Sequence, residues 1–298
     1  MTLPVPPITT TRAGHVALVG KPNAGKSTLL NRLLGMKLAI TSPKPQSTRI
    51  SAVGIVSGPA YQMVLLDTPG LLDPAYTLQR SMLASAIAAL RDADVAVHVH
   101  DATTGPPPPL ASLVPAGTPL PRSRLIWANK SDLLNSGNRE AIDAGPDIIV
   151  GSAESGDGIE QLLGRIAEHL PESPFLYPND ELSTQPVRFF AAEAIRESAL
   201  SILHEEVPYG IFVDIEEFRE GKSPIYIRAV LYVERDSQKG IVLGAKGRTI
   251  REIGSAARVL IENLVAGSVY LDLWVKIMPD WRKDEAALRR FGFHVPQE

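Results

Sequence analysis

Gly20–Thr28 reads GKPNAGKST, a run whose residue types and spacing fit phosphate chemistry. Glycines at 20 and 25 let the backbone fold tightly enough for its N–H groups to face phosphate oxygens, and a following helix start adds a favourable dipole. In such a loop the Lys26 ammonium reaches β- and γ-phosphates and the Ser27 hydroxyl ligates Mg2+. The backbone of Gly20, Lys21, Pro22, Asn23, Ala24, Gly25 and Thr28 completes the cradle. The metal needs a carboxylate on its other side. DTPG at 67–70 supplies Asp67 at the end of an apolar run, and the Gly70 N–H can approach a γ-phosphate because glycine has no side chain. Alone, DTPG would read as a turn with a capping aspartate. Leu71 and Leu72 follow it, and neither side chain can orient a water.

A second polar cluster fits a base. Asn129–Asp132 is NKSD, after the apolar run RLIWA. A carboxylate at Asp132 accepts from the guanine ring N–H and exocyclic amine, whereas adenine presents an acceptor at the ring nitrogen and lacks that amine. Sites built on such bonds discriminate by roughly 10⁴-fold or more. Lys130 would lie along the base, Asn129 would brace the loop, and Ser152-Ala153-Glu154 offers a backbone contact to the guanine oxygen. NKSD alone is an ordinary turn; its place after a phosphate loop and DTPG gives it meaning.

These motifs need rigid elements to hold them. HVALVG (15–20), YQMVLLD (61–67), VAVHVHD (95–101), RLIWANK (124–130) and DIIVGSA (147–153) read as strands, several of them apolar on both faces, as parallel strands covered by helices are. Helical patterns cover Ser27–Leu34, Leu78–Arg91 and Ile159–Leu170. The alternation predicts a doubly wound α/β domain with its ligand beyond the carboxyl ends of the strands. The proline-rich 105–121 stretch excludes a long helix there and reads as a surface loop, with an SH3-like ligand as the alternative. Prolines at 171, 174, 178 and 186 mark an interdomain linker.

After the linker the pattern changes. A helix over Phe189–Leu203, strands over Gly210–Phe218 and Pro224–Val233, helical stretches and a last strand, YLDLWVKI (270–277), describe an α+β module. Within it, Ile241–Leu264 reads as a short strand, the turn Gly244-Ala245-Lys246-Gly247, and an amphipathic helix. A GxxG turn entering a helix is how single-stranded nucleic acid backbones are clamped. Between Lys239 and Arg258 there are five basic residues (Lys239, Lys246, Arg248, Arg251, Arg258) against Glu252 alone, whereas 181–298 as a whole holds 16 basic and 18 acidic residues. The positive charge is local, which suits a clamp; a helix with a solvated basic face is the alternative.

Composition bounds the rest. With 298 residues, 44% hydrophobic and 21% charged, the chain fits two soluble domains, and its net charge of -3 gives no case for bulk-charge nucleic-acid binding. The absence of cysteine excludes disulfides and thiol chemistry. The N-terminus does not read as a secretory signal, and no uncharged apolar run approaches the roughly 18 residues of a membrane span.

GKPNAGKS, DTPG, NKSD and SAE, in this order, are similar to the motif set of translation-factor-class GTPases. SPKPQSTRI (42–50) resembles the switch loop of the Era family, and RFFAAEAIRESAL (188–200), EVPYGIFVDIEEF (206–218), GIVLGAKGRTIREIGSAAR (240–258) and LDLWVKIMPDWRKDEAALRRFGF (271–293) resemble that family's C-terminal domain. The resemblance implies a P-loop GTPase sheet followed by a type II KH domain: a flexible N-terminus over 1–12, a GTP-binding domain over 13–172, a linker over 173–187 and a KH domain over 188–298. It implies slow hydrolysis of GTP to GDP, Mg2+ held by Ser27, Asp67 and a switch-loop hydroxyl, and binding of 16S ribosomal RNA near its 3′ end during 30S subunit assembly. The hydroxyl carries over to Thr48, with Ser47 as the alternative. Lys26, Asn23, Thr48 and Gly70 are the residues expected around the reacting phosphate. Asn23 resembles the asparagine of potassium-activated GTPases, which adds K+ as a cofactor; a turn asparagine is the alternative reading. A cytoplasmic monomer is expected, with peripheral association at the inner face of the membrane as an alternative location. The 105–121 region departs from the family by being shorter and less helical. An RNA-binding module without turnover and a phosphate-loop ATPase are the competing functions.

Other residues suggest chemistry only on paper. His98 and His100 share a strand face but have no third metal ligand nearby in sequence, and read as packed. Tyr270 and Trp274 alternate as core residues would. Glu205-Glu206 and Glu216-Glu217 read as solvated.

Overall fold

The computed structural model describes residues 10–135, 142, 145–221 and 223–296. Most of the expected N-terminal segment thus lies outside the described residues. The central strand β1 (Arg12–Val19) starts at its end, with Thr11 donating to Ser173 O at 2.9 Å. Alternate residues of β1 face opposite ways. Val16 and Leu18 pack beneath α1 (Lys26–Leu34) and α3 (Ile159–His169), with Leu29, Leu30, Trp127 and Leu162. Ala17 and Val19 pack toward α2 (Thr77–Asp92), with Ala86 and Leu90. Burial on both faces is why this strand reads as a continuous apolar run; each fully buried Leu or Val contributes about 1.5–3 kcal/mol.

With β2 (Ala52–Ser57), β3 (Tyr61–Asp67), β4 (Val95–Asp101), β5 (Ser123–Asn129) and β6 (Ile148–Val150), the sheet order is β2-β3-β1-β4-β5-β6, parallel except for β2. β2 was not expected from sequence: AVGIVS carries no chemical motif, and its glycine leaves room for Leu30 and Leu34 of α1. Its outer edge is capped by the linker. Ile55 N donates to Leu182 O at 2.9 Å and Ser183 Oγ to Val53 O at 2.6 Å, so backbone groups that would otherwise invite pairing are satisfied. The 105–121 region holds only a 3-10 turn at Leu110–Ser112.

The second domain comprises α4 (Val187–Ile202), β7 (Phe212–Arg219), β8 (Ile225–Val233), α5 (Asp236–Leu243), α6 (Arg248–Val265), β9 (Val269–Ile277) and α7 (Glu285–Arg290). Its sheet runs β7-β8-β9, antiparallel then parallel. Ile227, Ala229, Leu231 and Val233 face the helices. Val230 and Tyr232 face an aromatic cap of Trp281, Phe291 and Phe293, which also packs on Leu78 and Met82 of α2. Two sequence expectations fail here. Ile241–Leu243 ends helix α5 instead of forming a strand, because the i, i+4 pairing of Gln238 and Val242 buries that face despite the β-prone IVL. Tyr270 and Trp274 are 60% and 55% exposed: they alternate as expected, but on the outward face of an edge strand that the cap does not reach. Among the described residues, no helix is long and apolar enough to cross a membrane.

Candidate nucleotide site and nucleic-acid clamp

The phosphate loop bends between β1 and α1, and Gly25 at the helix N-cap has φ 97°. A side chain at 25 would place its Cβ 2.1 Å from Asn129 Nδ2, so glycine is required on steric as well as conformational grounds. Lys26 lies in the loop's interior, 6% exposed, donating from Nζ to Gly20 O (3.1 Å) and Lys21 O (2.9 Å). Burial lowers its ammonium to about 8, against the opposing pull of Asp67.

Next to it, three oxygens converge. Ser27 Oγ donates to Asp67 Oδ2 at 2.7 Å, Thr48 Oγ1 donates to the same atom at 3.1 Å, and the two hydroxyls are 2.9 Å apart. Asp67 is fully buried, and its Oδ1 has no hydrogen-bond partner. Burial lifts its carboxyl to about 6, offset in part by Lys26 and by the two hydroxyls. A set of hard oxygens around an orphaned carboxylate atom fits Mg2+. The geometry brings Thr48 to this point; Ser47 offers only its carbonyl, to Arg196. Gly70 packs on Pro22, and Leu71 turns its side chain into the core beside Ala17 and Val19. A cleft of about 480 Å3 lies over these groups, lined by Pro22, Asn23, Thr28, Gln46, Gly70 and Lys130 among others. Asn23 Nδ2 donates to Pro43 O at 2.9 Å across it.

At the base-reading end, Asn129 braces three segments. Its Nδ2 donates to Ala24 O (2.8 Å), and its Oδ1 accepts from Ala153 N (2.9 Å) and Trp127 Nε1 (3.1 Å). Lys130, at φ 66°, pairs with Asp101 at 2.6 Å, a partner that sequence reading missed although a carboxylate ending β4 was the signal for it. Asp132 is exposed, an open acceptor beyond β5. Ser152 is fully buried, and its Oγ accepts from Ser155 N at 3.1 Å.

The switch loop, residues 42–50, leaves the nucleotide cleft and enters the second domain. Arg49, 4% exposed, donates to Ile211 O at 2.5 Å and Tyr209 O at 2.9 Å, with its guanidinium 5.8 Å from the Trp281 ring centroid. Lys44 Nζ donates to Leu200 O and Leu203 O at the end of α4. The sequence marks Lys44 and Arg49 only as a basic loop, because their partners lie more than 150 residues away.

The clamp follows α5. Gly244 (φ 69°) lies so close to α6 that a Cβ would come 2.2 Å from Thr249 Oγ1. Ala245, Lys246 and Arg248 are exposed, and Lys239 is half-buried. Arg251 turns back, donating to Gly247 O (3.0 Å) and Lys246 O (2.8 Å), so it holds the turn's carbonyls. Arg258 lies about 15 Å farther along α6 and does not join the turn. Beside the clamp, a cleft of about 300 Å3 is lined by His204, Glu205, Glu206, Ile241 and Thr249.

Comparison with known proteins identifies both domains. Residues 15–120 match a family described as a 50S ribosome-binding GTPase, and 206–282 match the KH domain. GTPase Era from Carboxydothermus hydrogenoformans is 38% identical over 95% of this chain and 98% of its own length. GTPase Era from Pseudomonas fluorescens is 42% identical, over 96% and 98%. Two solved structures superpose with TM-score 0.87 at 36% identity, each covering 96% of this chain and 100% of theirs. One is an Aquifex aeolicus Era variant bound to GDP and aluminium fluoride; the other is Era with MgGDPNP and nucleotides 1506–1542 of 16S ribosomal RNA.

Proposed function

The chain belongs to the Era family of GTPases, with guanine nucleotide and Mg2+ as its cofactors, and we propose that its nucleotide state controls a KH clamp on 16S ribosomal RNA near the 3′ end during 30S subunit assembly. One observation carries the coupling. Thr48, which meets Ser27 and Asp67, is followed directly by Arg49, which is buried against the backbone at 208–211 of the KH domain. The turn that Arg49 holds continues from His204–Val207, which lines the cleft beside the clamp.

In this reading Gly20–Thr28 wraps the phosphates, Lys26 meets the β- and γ-phosphates, and the Gly70 N–H meets the γ-phosphate. Ser27, Thr48 and Asp67 would hold Mg2+. Bound Mg2+ neutralises charge on the phosphates; the chain's own groups hold the nucleotide in line. Asn129, Lys130 and Asp132 frame guanine, with Ser152-Ala153-Glu154 at its oxygen. Leu71 points into the core, so the attacking water is oriented by backbone, by another side chain, by a cation or by the ribosome, and hydrolysis by the isolated chain is slow. Asn23 spends its amide N–H on Pro43, which leaves Oδ1 as the atom K+ would take. Lys246, Arg248 and the N–H groups of 245 and 246 face RNA phosphate, with Lys239 and Arg258 as outlying charges and Arg251 shaping the turn. A ribosomal RNA partner supports a cytoplasmic location, and in this reading the chain is a monomer.

Single-turnover hydrolysis, run with and without small ribosomal subunits and in K+ against Na+, tests this. A slow basal rate that rises with subunits is expected, and Arg49→Ala should lose that rise while still binding nucleotide. Equal rates with and without subunits contradict the coupling; equal rates in K+ and Na+ contradict the Asn23 role.

A further inference from the structure

Arg32 stands on α1, six residues beyond Lys26 and about 9 Å along the helix axis. No motif requires it, and by sequence it is a polar residue on the outer face of an amphipathic helix. In the structure its side chain reaches the base-reading loop. Nε donates to Ala153 O at 2.9 Å, and Nη2 donates to Glu154 O. Two successive carbonyls are held by one planar fork, a geometry that guanidinium matches and an ammonium does not.

A trans peptide carries its carbonyl oxygen and the following N–H on opposite edges. Holding Ala153 O therefore fixes where the Glu154 N–H points, and holding Glu154 O does the same for Ser155. The other bonds of this loop set different groups. Asn129 Oδ1 takes the Ala153 N–H at 2.9 Å, and Ser152 Oγ takes the Ser155 N–H at 3.1 Å. Among the described residues, Arg32 is the side chain that takes the carbonyls of 153 and 154. Because the same helix begins at Lys26 and Ser27, Arg32 also ties the spacing between phosphate loop and base loop to one rigid element.

We infer that Arg32 is a positioning residue for guanine recognition: it orients the Ala153–Glu154 peptide, and with it the backbone donor presented to the base oxygen O6. The inference rests on the guanine assignment made above. The effect of Arg32 reaches the nucleotide through the peptide it holds with Nε and Nη2, and no direct contact of its charge with the nucleotide is invoked.

The test compares full-length wild type, Arg32→Ala and Arg32→Lys in equilibrium binding of GDP, 6-thio-GDP and IDP. The thio analogue keeps the groups that face Asp132 and replaces O6 with a weak acceptor; IDP keeps O6 and lacks the exocyclic amine. Arg32→Ala should bind GDP about tenfold more weakly, with 6-thio-GDP affinity unchanged, so that preference for oxygen over sulfur shrinks toward none. Its preference for GDP over IDP should stay at the wild-type ratio, and Arg32→Lys should fall between. A parallel loss for all three nucleotides would mark a merely structural role and overturn the inference, as would wild-type affinities in the variant. A different failure, wild type with no preference for GDP over ADP, would overturn the guanine assignment itself.

Discussion

The two ligand regions of this chain meet phosphate by opposite means. In the nucleotide site, Lys26 is 6% exposed and Asp67 fully buried, and each charge already has partners inside the protein. In the clamp, Lys246 and Arg248 stand in solvent on a turn whose shape comes from glycines and from Arg251. A buried charge left unpaired costs several kcal/mol, so the first region tolerates few residue types at each position. Exposed charges are screened and act additively, so the second needs only a local excess. Large, qualitative effects are expected in the first region and graded ones in the second.

The largest expected effect is a change of base. Asp132 is an open acceptor, and Asn129 fixes the loop that carries it. Asp132→Asn exchanges that acceptor for an amide that can donate to the second oxygen of xanthine. Competition binding of GTP against XTP should show the preference swinging by roughly 10⁴-fold. A variant that keeps its wild-type margin for GTP would place base reading elsewhere and erase the contrast between a dictated site and a graded one.

In the clamp the expected change is smaller and depends on salt. Lys246→Ala should weaken single-stranded RNA binding by about three- to tenfold at moderate ionic strength. The slope of log affinity against log salt should fall by about 0.7, the share of one phosphate contact on a single strand. An affinity loss with an unchanged slope would mean that Lys246 shapes the turn instead of meeting phosphate.

The same contrast explains what could be read in advance. Gly25, Lys26 and Asp67 are legible because a buried phosphate and metal site fixes residue types over short spacings. The clamp is legible only as GxxG plus local charge. Tyr270 and Trp274 show the limit of periodicity, which tells that alternate residues share a face but not which face is covered. In β8 the outward Val230 and Tyr232 are buried because the C-terminal cap reaches them, and on β9 it does not. The Arg49 and Lys44 contacts were hidden for another reason. Their acceptors are backbone carbonyls, which leave no residue-type signature, and they lie far away in the chain.

A further contrast separates the regions by acidity, because protonation is costly only where water is excluded. His98 is 2% exposed and its Nδ1 has no partner; burial first, then His100, Lys26 and Lys21, push its pKa down to about 4. An unfolded histidine titrates near about 6.5, so between that pH and about 4 the unfolded chain binds a proton that the folded chain does not. The stability from neutral His98 is therefore complete above about 6.5 and is lost as pH falls toward 4. Asp67 acts in the opposite sense: its pKa is raised to about 6, so its contribution is present below the unfolded carboxylate value and lost as pH rises through 6. Without nucleotide and metal the two slopes oppose each other, and wild-type stability should vary little from this pair between pH 5 and 6.5. His98→Phe removes one slope and leaves every other titrating group in place. Urea unfolding of both proteins at pH 7 and pH 5 should show acidification costing wild type about 2 kcal/mol more than the variant. Equal costs would mean that His98 titrates alike in both states, and that its burial beside the phosphate loop is less complete than its packing indicates.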